Sequence, residues 1–191
     1  RWDYEYTGGD HKGNLHKLSD KRVGVIGTGA TAIQSVPFVG EHAKELFVFQ
    51  RTPSSVDFRG NSPTDEGWAQ TLEPGWQRKR RENFNDILLG VPVEEDLVND
   101  GWTEIFRDLM SVVPANREKS PEISPREAAE MAEMADFKKM NGIRQRVDDT
   151  LDDKEAAEIL KPWYRQFCKR PTFNDEFLPT FNRDNVTLVD T

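Results

Sequence analysis

The sequence predicts an α/β protein: a small three-layer parallel sheet carrying a large helical insertion. Three observations predict it. An apolar run, a glycine-rich turn, a helical pattern and a second apolar run follow one another between Lys21 and Gln50, about the length of one βαβ unit. Residues 64–160 are then highly charged and helical in spacing, with few strand-like runs. The apolar run Val186–Val189 (VTLV) returns to strand character near the far end. The expected division is 1–62 for the first part of the α/β core, 63–160 for the insertion and 161–191 for the return.

Each element has its own warrant. Residues 1–20 are polar and broken by Gly8, Gly9 and Gly13, so a short strand near Tyr4–Tyr6 followed by a loop is expected. Lys21–Ile26 reads as a buried strand, because Val23, Val25 and Ile26 are β-branched and the run is bounded by charge and glycine. Ala30–Val39 has helical spacing through Ile33, Val36 and Phe38, with Pro37 expected to end or bend it early. Glu45–Gln50 (ELFVFQ) is a second buried strand, and the crossover between the two implies parallel pairing. Helices are expected over Asp65–Asn85, Glu94–Met110, Pro125–Met140 and Asp152–Leu160. The third has a capping box, with Ser124 as N-cap, Pro125 at N1 and Glu127 at N3. Its Ala128, Met131, Ala132, Met134, Ala135 and Phe137 are expected on the buried side. Thr150 or Asp152 should cap the fourth.

Composition excludes several functions. The net charge of −8 argues against nucleic-acid binding, which needs a basic excess. The apolar runs are too short to span a membrane, and no secretory signal opens the chain, so a cytoplasmic location is expected. The single Cys168 excludes an internal disulfide and reads as a small buried hydrophobe. His11, His16 and His42 lack ligand spacing, so no metal site is expected. The basic run Arg78–Arg81 and the acidic residues 148–155 read as solvated faces. The tryptophans at 2, 68, 76, 102 and 163 fit helix packing in the insertion. The chain opens on Arg1 and closes on Val189-Asp190-Thr191, and it is expected to be a piece of a longer polypeptide.

The chemistry lies in two short stretches. Gly27-Thr28-Gly29-Ala30-Thr31-Ala32 is a G-x-G-x-x-A dinucleotide fingerprint placed between a strand and a helix. Gly27 permits the sharp turn, Gly29 lets a diphosphate approach the backbone, and Ala32 lets the helix lie close to the strand. The helix start offers free N–H groups and a positive dipole end. The second stretch is Gln50-Arg51-Thr52 at the tip of the second strand. A nicotinamide dinucleotide lacking a 2′-phosphate calls for an acid there, to accept from the ribose hydroxyl. Arg51 offers instead a guanidinium suited to a 2′-phosphate, and Thr52 adds a hydroxyl. These residues favour NADPH over NADH.

GVIGTGATAIQ, which includes Gln34, followed by VFQRTP resembles the NADPH-binding domain of the Baeyer–Villiger monooxygenases, the flavoprotein ketone oxygenases. Trp2-Asp3 resembles the end of that family's F-x-G-x-x-x-H-x-x-x-W-[PD] signature. Cys168-Lys169-Arg170-Pro171 resembles its K-R element, and Phe181–Val186 with Leu188-Val189-Asp190 its N-R-D-N-V-x-L-V-D segment. The resemblance implies FAD reduced by NADPH, oxygen activated as a peroxyflavin, and insertion of one oxygen atom of O2 into a ketone to give an ester or lactone. It implies Gly27, Thr28, Gly29, Ala30, Thr31, Gln34, Arg51, Thr52 and Lys169 as cofactor-binding residues and Arg170 as the catalytic cation beside the flavin. It places FAD mostly on an FAD domain of the same polypeptide outside these residues, so the chain alone is expected to be inactive. The insertion's Phe and Trp residues would border the ketone cavity. Two rivals share part of this pattern: an N-hydroxylating or sulfur-oxidising flavin monooxygenase, and a non-enzymatic NADPH-sensing module.

Overall fold

A computed structural model describes residues 2–112 and 124–191. The chain forms two compact units, Arg1–Phe58 with Met140–Thr191, and Arg59–Lys139.

The first unit holds a parallel sheet ordered β1-β2-β5, with β1 at Arg22–Ile26, β2 at Glu45–Gln50 and β5 at Val186–Asp190. Register runs Val23–Leu46–Val186 and Val25–Val48–Leu188 across the three strands. Helix α2 (Ala30–His42) lies on this row, burying Ile33, Val36 and Val39. Helices α7 (Lys154–Leu160) and α8 (Phe177–Thr180) complete the core with Ala157, Leu160, Phe177 and Leu178. The strands, helix and parallel pairing are those the sequence predicts.

Burial on β1 differs from expectation. No residue of the strand is buried, and Ile26 is 91% exposed. β1 lies at the sheet edge with only its Val23–Val25 row on the core, whereas β2 is central and buries Leu46, Val48 and Gln50.

Pro37 does not end α2, which runs on to His42. The helix continues because Val39 and Gly40 are driven into the core. A Cβ on Gly40 would lie 2.8 Å from the Thr180 methyl, so only glycine allows this approach. Asn185 then closes the helix end, donating to the carbonyls of Gly40 (2.9 Å) and Ala43 (2.8 Å). Asn182 does similar work elsewhere, donating to Thr150 O and accepting from Asp152 N.

The expected strand at Tyr4–Tyr6 is instead the short helix α1, Tyr4–Thr7. The Asp3 carboxylate accepts from Tyr6 N, and this cap outweighs the strand preference of tyrosine. The helix expected over Asp65–Asn85 is two, α3 (Glu66–Gln70) and α4 (Trp76–Leu88), because Gly75 adopts φ 92° after Pro74. Helix α5 starts late, at Gly101, where Asp100 accepts from the backbone of Trp102 and Thr103. Helix α6 (Pro125–Thr150) has the expected Ser124–Glu127 capping box but continues past Met140, because Ile143 and Val147 carry its apolar row into the first unit's core. Helix α7 is capped by Asp153, not by Thr150 or Asp152; the Thr150 hydroxyl donates to Arg146 O.

Met131, Met134 and Phe137 are exposed rather than buried. No tryptophan is buried, and Trp2 and Trp163 lie outside the second unit; Trp68 and Trp76 meet edge to face at 6.0 Å. The acidic residues near 150 are partly engaged, since Asp148 pairs with the buried Lys161 at 2.8 Å. Among the described residues no helix is long and apolar enough to cross a membrane.

Candidate cofactor site

The site begins where β1 stops. Gly27 turns the chain at φ 90°, and its N–H donates to Phe49 O at 2.7 Å, so the turn is tied to β2. A side chain there would be strained. Gly29 is the N-cap of α2 in extended conformation, φ −77°, which any residue can adopt. Its requirement is space: a Cβ on Gly27 or Gly29 would find no atom within 4 Å, so the volume over the turn is open. Gly29 also supplies no side-chain cap, which leaves the first N–H groups of α2 for a ligand at the positive end of the helix dipole.

The other fingerprint residues divide. Ala30 and Thr31 are exposed at the helix start, and Ala32 packs against the core. Thr28 is buried, its hydroxyl on Thr52 O at 3.4 Å, so its side chain points into the protein. The Ser54 hydroxyl donates to Thr28 O. Gln34 is exposed and donates back to Ala30 O at 2.9 Å.

Arg51 and Thr52 follow β2 and are exposed. Lys169 reaches the same turn from the far end of the chain. Its ammonium donates to Thr52 O at 2.8 Å and to Pro53 O at 3.1 Å. Burial, and then the charge of Arg51, hold the Lys169 pKa below the ordinary lysine value of 10.5. Arg51 and Lys169 therefore share one electrostatic environment although 117 residues separate Lys169 from Thr52. Neither Arg51 nor Arg170 pairs with a carboxylate among the described residues.

Two short strands hold the return segment in place. β3 (Val56–Asp57) pairs in parallel with β4 (Thr172–Phe173), and Ser55 O accepts from both the N–H (3.1 Å) and hydroxyl (2.6 Å) of Thr172. Phe167 adopts φ 67°, a left-handed conformation costly for a bulky residue, in the turn that presents Lys169. Cys168 is exposed, not buried, because that turn stands out from the core. Arg170 is exposed beside it. Sequence reasoning missed Tyr164, Ser55 and Thr172, which fasten the turn to the return segment, and Ser54, which fastens it to Thr28; their partners are too distant in sequence for any local pattern to reveal them.

No family model matches the chain. A Baeyer–Villiger monooxygenase of Stachybotrys chlorohalonatus is 60% identical over all 191 residues. The chain belongs to the Baeyer–Villiger monooxygenase family. It covers 30% of that relative, and 32% of the neopentalenolactone D synthase of Streptomyces avermitilis, which is 54% identical over the whole chain. The chain thus spans about a third of the length of the curated relatives it matches. Among solved structures, the polycyclic ketone monooxygenase from the fungus Thermothelomyces thermophila matches all of the chain with a TM-score of 0.81 and 45% identity, over 31% of its own length. OTEMO in complex with FAD and NADP matches 91% of the chain at a TM-score of 0.61 and 26% identity, over 33% of its length. For this family member, the parallel α/β fold expected from the sequence is borne out.

Proposed function

We propose that this chain forms the NADPH-binding part of a flavin-dependent Baeyer–Villiger monooxygenase. The full polypeptide would insert one oxygen atom of O2 beside a ketone carbonyl, giving an ester or lactone. The carrying observation is the convergence of Arg51 and Lys169 on the turn after β2, next to open space over Gly27 and Gly29.

The donor set fits NADPH part by part. The diphosphate would lie over Gly27 and Gly29, against the N–H groups of Ala30 and Thr31. Its 2′-phosphate would sit between Arg51 and Lys169, with the Thr52 hydroxyl in reach; two cations match a dianion. Gln34 stands on the same side of the helix start. An acid in place of Arg51 would repel that phosphate, so the turn selects as well as binds.

FAD would lie mostly on a domain of the same polypeptide outside these residues. Bound there and reduced by NADPH, it supplies the electrons that activate O2. The contribution of this chain would be Arg170, an exposed guanidinium adjoining Lys169. A fixed cation stabilises negative charge that develops on oxygen during transfer, and it does so without reorganising at the moment of reaction.

The test uses the full-length polypeptide. NADPH should reduce its flavin with a higher kcat/KM than NADH, and Arg51→Ala should erase most of the difference. A charged hydrogen bond is worth about 1.5–3 kcal/mol, so the ratio should fall on the order of 10- to 100-fold. Equal use of both cofactors by the unaltered protein would refute the assignment. Arg170→Ala should leave flavin reduction by NADPH intact while ester formation stops; normal ester yield would remove Arg170 from the chemistry.

A further inference from the structure

We infer that Tyr164 is a positioning residue for cofactor selectivity: its phenol frees the Lys169 ammonium to hold a 2′-phosphate. The inference rests on the NADPH reading above and adds a residue that reading does not use.

The argument starts from Pro53. Proline has no N–H, so its carbonyl is the only backbone hydrogen-bonding group it offers. Two donors meet that carbonyl, the Tyr164 hydroxyl at 2.9 Å and the Lys169 ammonium at 3.1 Å. The same ammonium lies 2.8 Å from Thr52 O, which also receives the Thr28 hydroxyl at 3.4 Å. An ammonium has three N–H donors. With two on carbonyls, one is left for an anion.

Tyr164 is well placed for this work. Its side chain is half-buried, and burial raises its pKa above the ordinary tyrosine value, an effect that Ser55 opposes. The phenol on Pro53 O and Thr172 on Ser55 O are neighbouring rungs that join the turn to the return segment. The Lys169 ammonium lies 5.9 Å from the centre of the tyrosine ring, in range of its negative face. The tyrosine thus orients both the Pro53 carbonyl and the cation that would otherwise serve it alone.

Remove the phenol oxygen, and Lys169 becomes the remaining donor seen on Pro53 O. The ammonium, which shares Pro53 O with the phenol in the unaltered chain, is then drawn more tightly onto that carbonyl and away from a phosphate. NADPH binding feels that competition. NADH has no 2′-phosphate and does not.

The experiment measures kcat/KM for flavin reduction by NADPH and by NADH in the full-length protein, for the unaltered sequence, Tyr164→Phe, Arg51→Ala and the double variant. Tyr164→Phe should raise KM for NADPH roughly three- to tenfold, the worth of one neutral hydrogen bond. Its kcat, and its kcat/KM for NADH, should stay within about twofold. In the Arg51→Ala background the effect on NADPH should shrink, because both changes act on one phosphate. Equal losses on the two cofactors would show a merely structural tyrosine and overturn the inference, as would unchanged NADPH kinetics. If Arg51→Ala abolishes the preference while Tyr164→Phe leaves it whole, the site reading stands and the tyrosine role falls. If Arg51→Ala leaves the preference untouched, both fall. Thermal unfolding of Tyr164→Phe, read beside the kinetics, shows whether the variant is folded at the assay temperature.

Discussion

The turn at Gly27–Ala32 and the return segment at Lys161–Phe173 both serve the candidate cofactor site, and they are built in opposite ways. The turn works by what it leaves out: no Cβ over the bend and no side-chain cap on α2. The return segment works by bonds it makes. Lys169, Tyr164 and Thr172 all fasten to residues 52–55, more than a hundred positions earlier. A vacancy can be written into six consecutive residues. A clamp needs two distant segments brought together by the rest of the fold.

That contrast can be challenged by substitution. The largest effect is expected at Gly29→Val, which fills the open volume. NADPH affinity should fall at least about tenfold, because the diphosphate loses its approach to the backbone. Stability should fall by only about 1 kcal/mol, the cost of a poorer N-cap, because the new side chain meets nothing of the protein. Isothermal titration and thermal unfolding, run on one preparation, separate the two. A collapse of stability would show that the space is not open.

Next comes pH. Lys169 titrates below the ordinary lysine value, from burial and then Arg51. Its charge is complete below that lowered pKa and is lost as pH rises through it. NADPH affinity should therefore fall on the alkaline side earlier than an ordinary lysine would allow, while NADH affinity stays level. Lys169→Arg should abolish the alkaline fall, since a guanidinium keeps its proton. A fall of equal size in that variant would assign the titration to another group.

Asn185→Ala should affect stability alone. Two hydrogen bonds to the end of α2 are lost, and a cost of about 1–3 kcal/mol is expected with the NADPH-to-NADH ratio unchanged. Chemical denaturation read against cofactor kinetics checks this. The smallest effect belongs to Cys168→Ser. An exposed cysteine should tolerate the change within about 0.5 kcal/mol. A large destabilisation would return Cys168 to the core, where sequence reading had put it.

Much of the fold could be read from local patterns. The β1–α2–β2 unit, the VTLV strand and the Ser124–Glu127 capping box stand where those patterns place them. Misreadings arose where a distant contact overruled a local preference. Pro37 is carried through because Gly40 and Val39 dock on α8 and β5. Met131, Met134 and Phe137 have helical spacing but stay exposed, since periodicity shows that a helix has an apolar side and not that anything covers it. Tyr4–Tyr6 became helix through one aspartate cap.

Local sequence settled the bend, the strand-to-helix order and the cation after β2, because each depends on the allowed dihedrals, volume or charge of neighbouring residues. Tertiary structure alone decided that Lys169 and Tyr164 meet that cation's turn, that Thr28 faces inward, and that Cys168 stands in the open. Those outcomes depend on hydrogen bonds and burial between segments far apart in the chain, and they come into being only once the sheet has drawn the two ends together.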